Sequence, residues 1–105
     1  MSNMIVAETI LHQLGGPRFQ AMTGARSFVG SANSLTFRLP ARFAGNGIVT
    51  VRIVLEPSDT YRMECTRHNG TVAYECSDIY ADNLQRVFTM ATGLDTSLGR
   101  VQRAS

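Results

Sequence analysis

Hydrophobic and polar positions follow two rhythms along this chain. At the start, Met4, Ala7, Ile10, Leu11 and Leu14 recur at three- and four-residue spacing, which lays one apolar stripe along an α-helix. Ser2 or Asn3 is placed to cap that helix, and Gly15-Gly16 to end it, because glycine takes the left-handed conformation that a helix C-terminus needs. Pro17 suits the first turn of a second, short helix. Phe19 and Met22 are its buried positions and Gly24 its stop.

The period then becomes two. Residues 27–30, with Phe28 and Val29, read as a short strand. In residues 34–39, Leu35, Phe37 and Leu39 point one way and Thr36 and Arg38 the other, until Pro40 ends the strand. Residues 41–47, with Gly45, Asn46 and Gly47, read as a loop. In residues 48–55, Val49, Val51, Ile53 and Leu55 are expected to face the core, with Thr50 and Arg52 facing away. Pro57 marks a turn over residues 56–59. Segments 61–67 and 71–76 flank Asn69-Gly70, the composition of a two-residue type I′ hairpin. That turn sets Cys65 opposite Tyr74, Met63 opposite Cys76 and Glu64 opposite Glu75. Tyr61, Met63, Cys65, Val72, Tyr74 and Cys76 then share an apolar face, and Arg62, Glu64, Thr66, Ala73 and Glu75 a wet one. The two cysteines become diagonal neighbours, too far apart for an easy disulfide.

A last helix follows, with Ser77 or Asp78 as cap and Asp82 in its first turn. Tyr80, Leu84, Val87, Phe88 and Ala91 form its stripe, Gly93 follows its end, and residues 94–98 dock. Every stripe is satisfied by one α+β domain over residues 1–98. Its antiparallel sheet has four or five strands, with an N-terminal and a C-terminal helix packed on one face. Residues 99–105 form a polar C-terminal tail.

Composition agrees with one such domain. The chain has 105 residues, 44% of them hydrophobic, enough to bury a core without a covalent staple. The net charge is only +2, so no strong field for nucleic acid or membrane is expected from charge alone. All ten basic residues are arginine. Either GC-rich coding or a use for guanidinium forks, which grip phosphate and carboxylate bidentately, accounts for that. No basic segment with a long apolar stretch opens the chain, and no apolar run is long enough to span a bilayer. A cytoplasmic location with reduced thiols at Cys65 and Cys76 is expected, with no membrane partner.

Few residues invite chemistry. His12 and His68 lie on separate elements, and a zinc site needs about four converging ligands. Cys65 and His68 are close in sequence, but the register points the thiol inward and the imidazole to the turn, against a nucleophile–base pair. Asp59, Glu64, Glu75, Asp78 and Asp82 are read as a solvated set, with Arg62 placed to offset Glu64 opposite Glu75. Gly15-Gly16 follows a helix instead of a strand, unlike a phosphate loop. The turn Met22-Thr23-Gly24-Ala25 offers amides that could hold an anion. No cofactor, metal or catalytic set is expected. The candidate binding surface is arginine: Arg38, Arg52 and Arg62 as a stripe on the exposed side of the sheet, with Arg26 and Arg42 nearby. No run of exposed aromatics offers a stacking platform for bases.

Three segments resemble a known group. These are Ile10-Leu11-His12-Gln13-Leu14-Gly15-Gly16 through Arg18-Phe19 to Ala21-Met22-Thr23-Gly24-Ala25, then Asp59-Thr60-Tyr61, then Ile79-Tyr80-Ala81-Asp82-Asn83-Leu84-Gln85 through Phe88 to Thr92-Gly93-Leu94. Together they are similar to a family of small uncharacterised proteins of bacteriophages and other bacterial mobile elements. The family carries no known activity, so the resemblance implies a setting and transfers no functional residue. The expectation is a non-enzymatic accessory protein that binds a host protein or nucleoprotein complex stoichiometrically, in the manner of an anti-defence or anti-CRISPR inhibitor. The alternative is a nucleic-acid-binding accessory protein that uses the arginine-lined sheet face.

Overall fold

The computed structural model describes residues 4–41 and 44–94. Two helices open the chain: α1, Ile5–Leu14, and α2, Gly16–Thr23. Five strands follow: β1, Arg26–Gly30; β2, Ser34–Arg38; β3, Ile48–Leu55; β4, Tyr61–Arg67; and β5, Val72–Ile79. A 3-10 turn over Ala81–Asn83 leads into α3, Leu84–Thr92. The strands form one antiparallel meander in chain order, as short hairpin connections favour.

Ala7, Ile10 and Leu14 of α1, Phe19 of α2, and Leu84, Phe88 and Ala91 of α3 bury into one core. There they meet Leu35, Phe37, Val51, Ile53, Met63 and Cys65 from the sheet. All three helices therefore cover one face, and the α+β architecture is the expected one. Phe19 sits at the junction, its ring 5.3 Å from Phe37 and 5.2 Å from Phe88, both edge-on, the geometry aromatic quadrupoles favour. Two polar ties lock the layers: the Tyr61 hydroxyl donates to Gln13 Oε1 (2.8 Å), and Gln85 Nε2 donates to the carbonyl of Leu14 (2.8 Å).

The central pairings match the alternation in the sequence. Cys65 faces Tyr74, Met63 faces Cys76 and Glu64 faces Glu75. Four β-bulges change the pattern around them, each leaving two residues of one strand opposite one of the next. At the start of β3, Ile48 pairs with Arg67 but Thr50 with Thr66. Val49 is thus the extra residue, and Ile48 takes the core position expected of Val49. Near the hairpin tip, Thr66 pairs with Val72 and Cys65 with Tyr74, so Ala73 is extra. Val72 and Ala73 accordingly exchange their expected sides: Val72 is 48% exposed, and Ala73 packs against the core.

The tip itself is a three-residue loop instead of the expected type I′ turn. Arg67 N donates to Thr71 O (2.8 Å) and Gly70 N to Arg67 O (2.9 Å). Only Gly70 has positive φ there, +89°, so a tight turn over His68 and Asn69 is followed by a left-handed glycine. Asn69 instead accepts hydrogen bonds at its side-chain oxygen from the Thr71 amide (3.1 Å) and hydroxyl (2.7 Å).

The other end of β5 also differs. Ser77 and Asp78 form a bulge, Asp78 with φ +57°, which sets Ile79 opposite Tyr61. The strand therefore continues past the expected caps, and the residue before α3 is Asn83. Tyr80, expected in the helical stripe, falls between strand and helix and is 59% exposed. Leu84, Phe88 and Ala91 carry the buried face as expected, and Gly93 closes α3 in the left-handed conformation. Met4 occupies the cap position of α1 without a side-chain bond. The expected caps Ser2 and Asn3, the docking segment beyond Leu94 and the tail lie outside the described residues.

Candidate functional site

Opposite the helices the sheet presents a second face, exposed at Arg26, Val29, Arg38 and Arg52 and buried at Ser34 and Val54. Residues paired directly across antiparallel strands share a face, so the pairings map this surface in rows. One row runs Arg26, Arg38, Thr50, Thr66, Val72 from β1 to β5. The next runs Val29, Thr36, Arg52, Glu64, Glu75. A third, shorter row holds Ser34, Val54 and Arg62.

The arginines expected to form a stripe divide into two kinds. Arg62 is committed. Its Nη1 lies 2.9 Å from Glu75 Oε2 and its Nε 3.3 Å from Glu56 Oε2. These bonds, Glu56 first and Glu75 next, raise its already high pKa further. Arg62 thus supplies the expected cation to the Glu64–Glu75 pair, through its bond to Glu75. Glu64 stands directly across from Arg52. Arg26, Arg38 and Arg52 are exposed and make no ion pair among the described residues. Arg26 and Arg38 face each other directly across β1 and β2. Arg42 lies outside the described residues. The face is thus split: its β1–β2 half carries uncompensated positive charge, and its β4–β5 half carries glutamates braced by Arg62.

The other sequence candidates stay apart. His12 is exposed on α1 and His68 is exposed at the β4–β5 tip. Cys65 is fully buried, and burial, with the nearby Glu64 charge adding to it, pushes its thiol up to about 12. A thiol held neutral is a poor nucleophile, which agrees with the inward register. Cys76 is partly buried, and both thiols are free. Among the described residues no three His, Cys, Asp or Glu side chains gather as a metal site would require. The amides of the turn after α2 are already used: Gly24 N donates to Gln20 O (2.9 Å) and Ala25 N to Thr23 Oγ1 (3.2 Å). No described helix is long and apolar enough to cross a membrane.

Two features of the face were not read from sequence. Glu56 reaches Arg62 because the β3–β4 turn, closed by Glu56 N to Thr60 O (2.8 Å), folds the strand end back. Arg26 meets Arg38 only because β1 is bulged between Arg26 and Val29. Comparison of the chain with family models, with curated proteins and with solved structures gives no match.

Proposed function

We propose that this protein acts without catalysis, as a small accessory protein of a phage or mobile element that binds a host protein or nucleoprotein complex stoichiometrically. The contact surface is the sheet face opposite the helices, and its basic half receives an anionic patch of the partner. The observation that carries this reading is the set of exposed arginines, Arg26, Arg38 and Arg52, which make no ion pair among the described residues. A sheet is a suitable platform, because its backbone is held in place before contact and the ordering on binding is confined to the arginine side chains. The expectation of an anti-defence role, including an anti-CRISPR-type inhibitor, belongs to this reading through the resemblance described above.

Affinity capture from a bacterial lysate tests it. Wild-type protein is compared with an Arg26→Ala, Arg38→Ala, Arg52→Ala triple variant, each with and without nuclease treatment. The expected result is a partner recovered in stoichiometric amount by wild type and lost by the folded triple variant. Recovery of nothing above background, or equal recovery by both, would remove the reading.

A further inference from the structure

We infer that Arg26 and Arg38 form a two-arginine clamp for a phosphodiester group of a nucleic-acid backbone. The inference rests on the reading of that sheet face as the binding surface, and it names the chemistry of the partner.

Charge placement is the first ground. Like charges directly opposite on neighbouring strands repel. Every other arginine of the mapped rows has a carboxylate bonded to it or directly across from it: Arg62 has Glu56 and Glu75, and Arg52 has Glu64. Arg26 and Arg38 have each other, and the next residue along their row is Thr50. An anion bound between the two guanidinium groups turns that repulsion into two attractions. The fork of each guanidinium matches phosphate oxygens in pairs.

Backbone conformation is the second ground. In an unbroken β1–β2 ladder Ser27 would stand across from Arg38, and Arg26 would share the inner face with Phe28. The bulge turns Ala25 into the core and brings Arg26 out opposite Arg38. It places Ser27 at φ +58°, a conformation that residues other than glycine seldom adopt. Strain and like-charge repulsion thus coincide at one spot on the surface. Such coincidences are characteristic of binding sites, where structure serves the ligand ahead of the free protein.

The rest of the face selects the partner. Its neighbouring side chains are Thr36, Thr50 and Thr66, with Val29 and Val72 as its exposed apolar members and Val54 buried. Protein interfaces centre on buried aromatic and large apolar anchors, and the rows contain none. Arginine and threonine are among the side chains that contact phosphate oxygens. The same lack of aromatics removes base stacking, so the contact is to backbone, without base preference.

The test is a titration of labelled short DNA and RNA duplexes into the whole protein, read by fluorescence anisotropy across a salt series. Wild type should bind with affinity that falls steeply with salt. Arg26→Gln and Arg38→Gln should each weaken binding, the double variant should lower the magnitude of the log–log salt slope by about one, and Arg62→Gln should leave it unchanged. Thermal melting supplies a second readout: either glutamine variant should match or exceed the wild-type melting temperature, since it relieves a like-charge pair. Binding lost together with stability would mark the pair as structural and overturn the inference. So would no duplex binding at low salt, an unchanged slope, tighter binding of an acidic polypeptide than of duplex, or saturation by inorganic phosphate as tight as by duplex. A nuclease-resistant protein partner in the lysate experiment beside a negative duplex titration would leave the binding face standing and remove only the phosphodiester.

Discussion

Burial decides what each cysteine does. Cys65 is fully enclosed between the sheet and the helices, while Cys76 lies on the edge strand and is only partly covered. A thiol reagent at neutral pH should therefore modify Cys76 in the native protein and Cys65 only after denaturation. Mass spectrometry before and after denaturant checks this, and two rapid native adducts would show that Cys65 does not face the core. The raised pKa of Cys65 also links folding to pH. Its folded value, about 12, lies above the ordinary thiol value of 9.0 expected in the unfolded chain. The unfolded thiol loses its proton first, so stability is fully present below pH 9.0 and falls as pH rises toward 12. The slope from this one group reaches at most about 1.4 kcal/mol per pH unit. Burial raises the Tyr61 hydroxyl in the same sense. Cys65→Ala should flatten the alkaline fall in melting temperature without abolishing it. Cys65, Phe19 and Phe88 were legible as core from spacing alone. Tyr80 was not, because its fate depended on where the preceding strand ended.

Strand pairing was legible where alternation is strict and illegible where a bulge intervenes. The pairs Cys65–Tyr74 and Met63–Cys76 follow from side-chain period, since a one-residue slip would turn apolar positions outward. The bulges at Ala73, Val49, Ser77–Asp78 and Ser27–Phe28 settle competition between distant packing demands, and no local residue type announces them. For the same reason the arginines of the candidate site were legible as exposed, but the pairing of Arg26 with Arg38 was not. The hairpin tip shows how little the glycine signal distinguishes: two- and three-residue loops both need a left-handed residue at Gly70, which has φ +89° and no atom within 4 Å of an added Cβ. Gly70→Val should therefore destabilise through conformation alone, by about 1–2 kcal/mol, measured by urea unfolding. Gly30 is the opposite case, limited by space. An added Cβ would lie 2.7 Å from Ala7 Cβ and closer still to Met4 Cε, because α1 crosses β1 there. Gly30→Ala should cost about 1–3 kcal/mol by pushing the helix off the sheet. A melting temperature equal to wild type would show that α1 sits elsewhere.

At the scale of the whole molecule, the three helices and five strands of the described residues share one core, and its continuity runs through Phe19. That ring comes from the shortest helix, yet it touches Phe37 of the sheet at 5.3 Å and Phe88 of the last helix at 5.2 Å. Phe37 and Phe88 are themselves 6.0 Å apart, so the three rings close a triangle across the layers. α2 is anchored by this contact above all, since its buried residues are Gly16, Phe19 and Thr23. Phe19→Ala would remove an entire fully buried ring, at a cost of about 3–5 kcal/mol. A domain of this size has about 5–15 kcal/mol in total, so the variant should lie close to the edge of folding. Phe19→Leu keeps most of the volume and should lose less. Its effect should be non-additive with that of Phe88→Leu, because both remove the same ring–ring contact. A double-mutant cycle by chemical denaturation measures that coupling, and additive losses would mean that the helices dock independently of one another. The opposite sheet face contributes nothing to this triangle, so on the proposed reading folded Phe19→Leu protein should bind duplex as wild type does. Unequal salt slopes for the two proteins would show that the proposed surface depends on the packing of the helices.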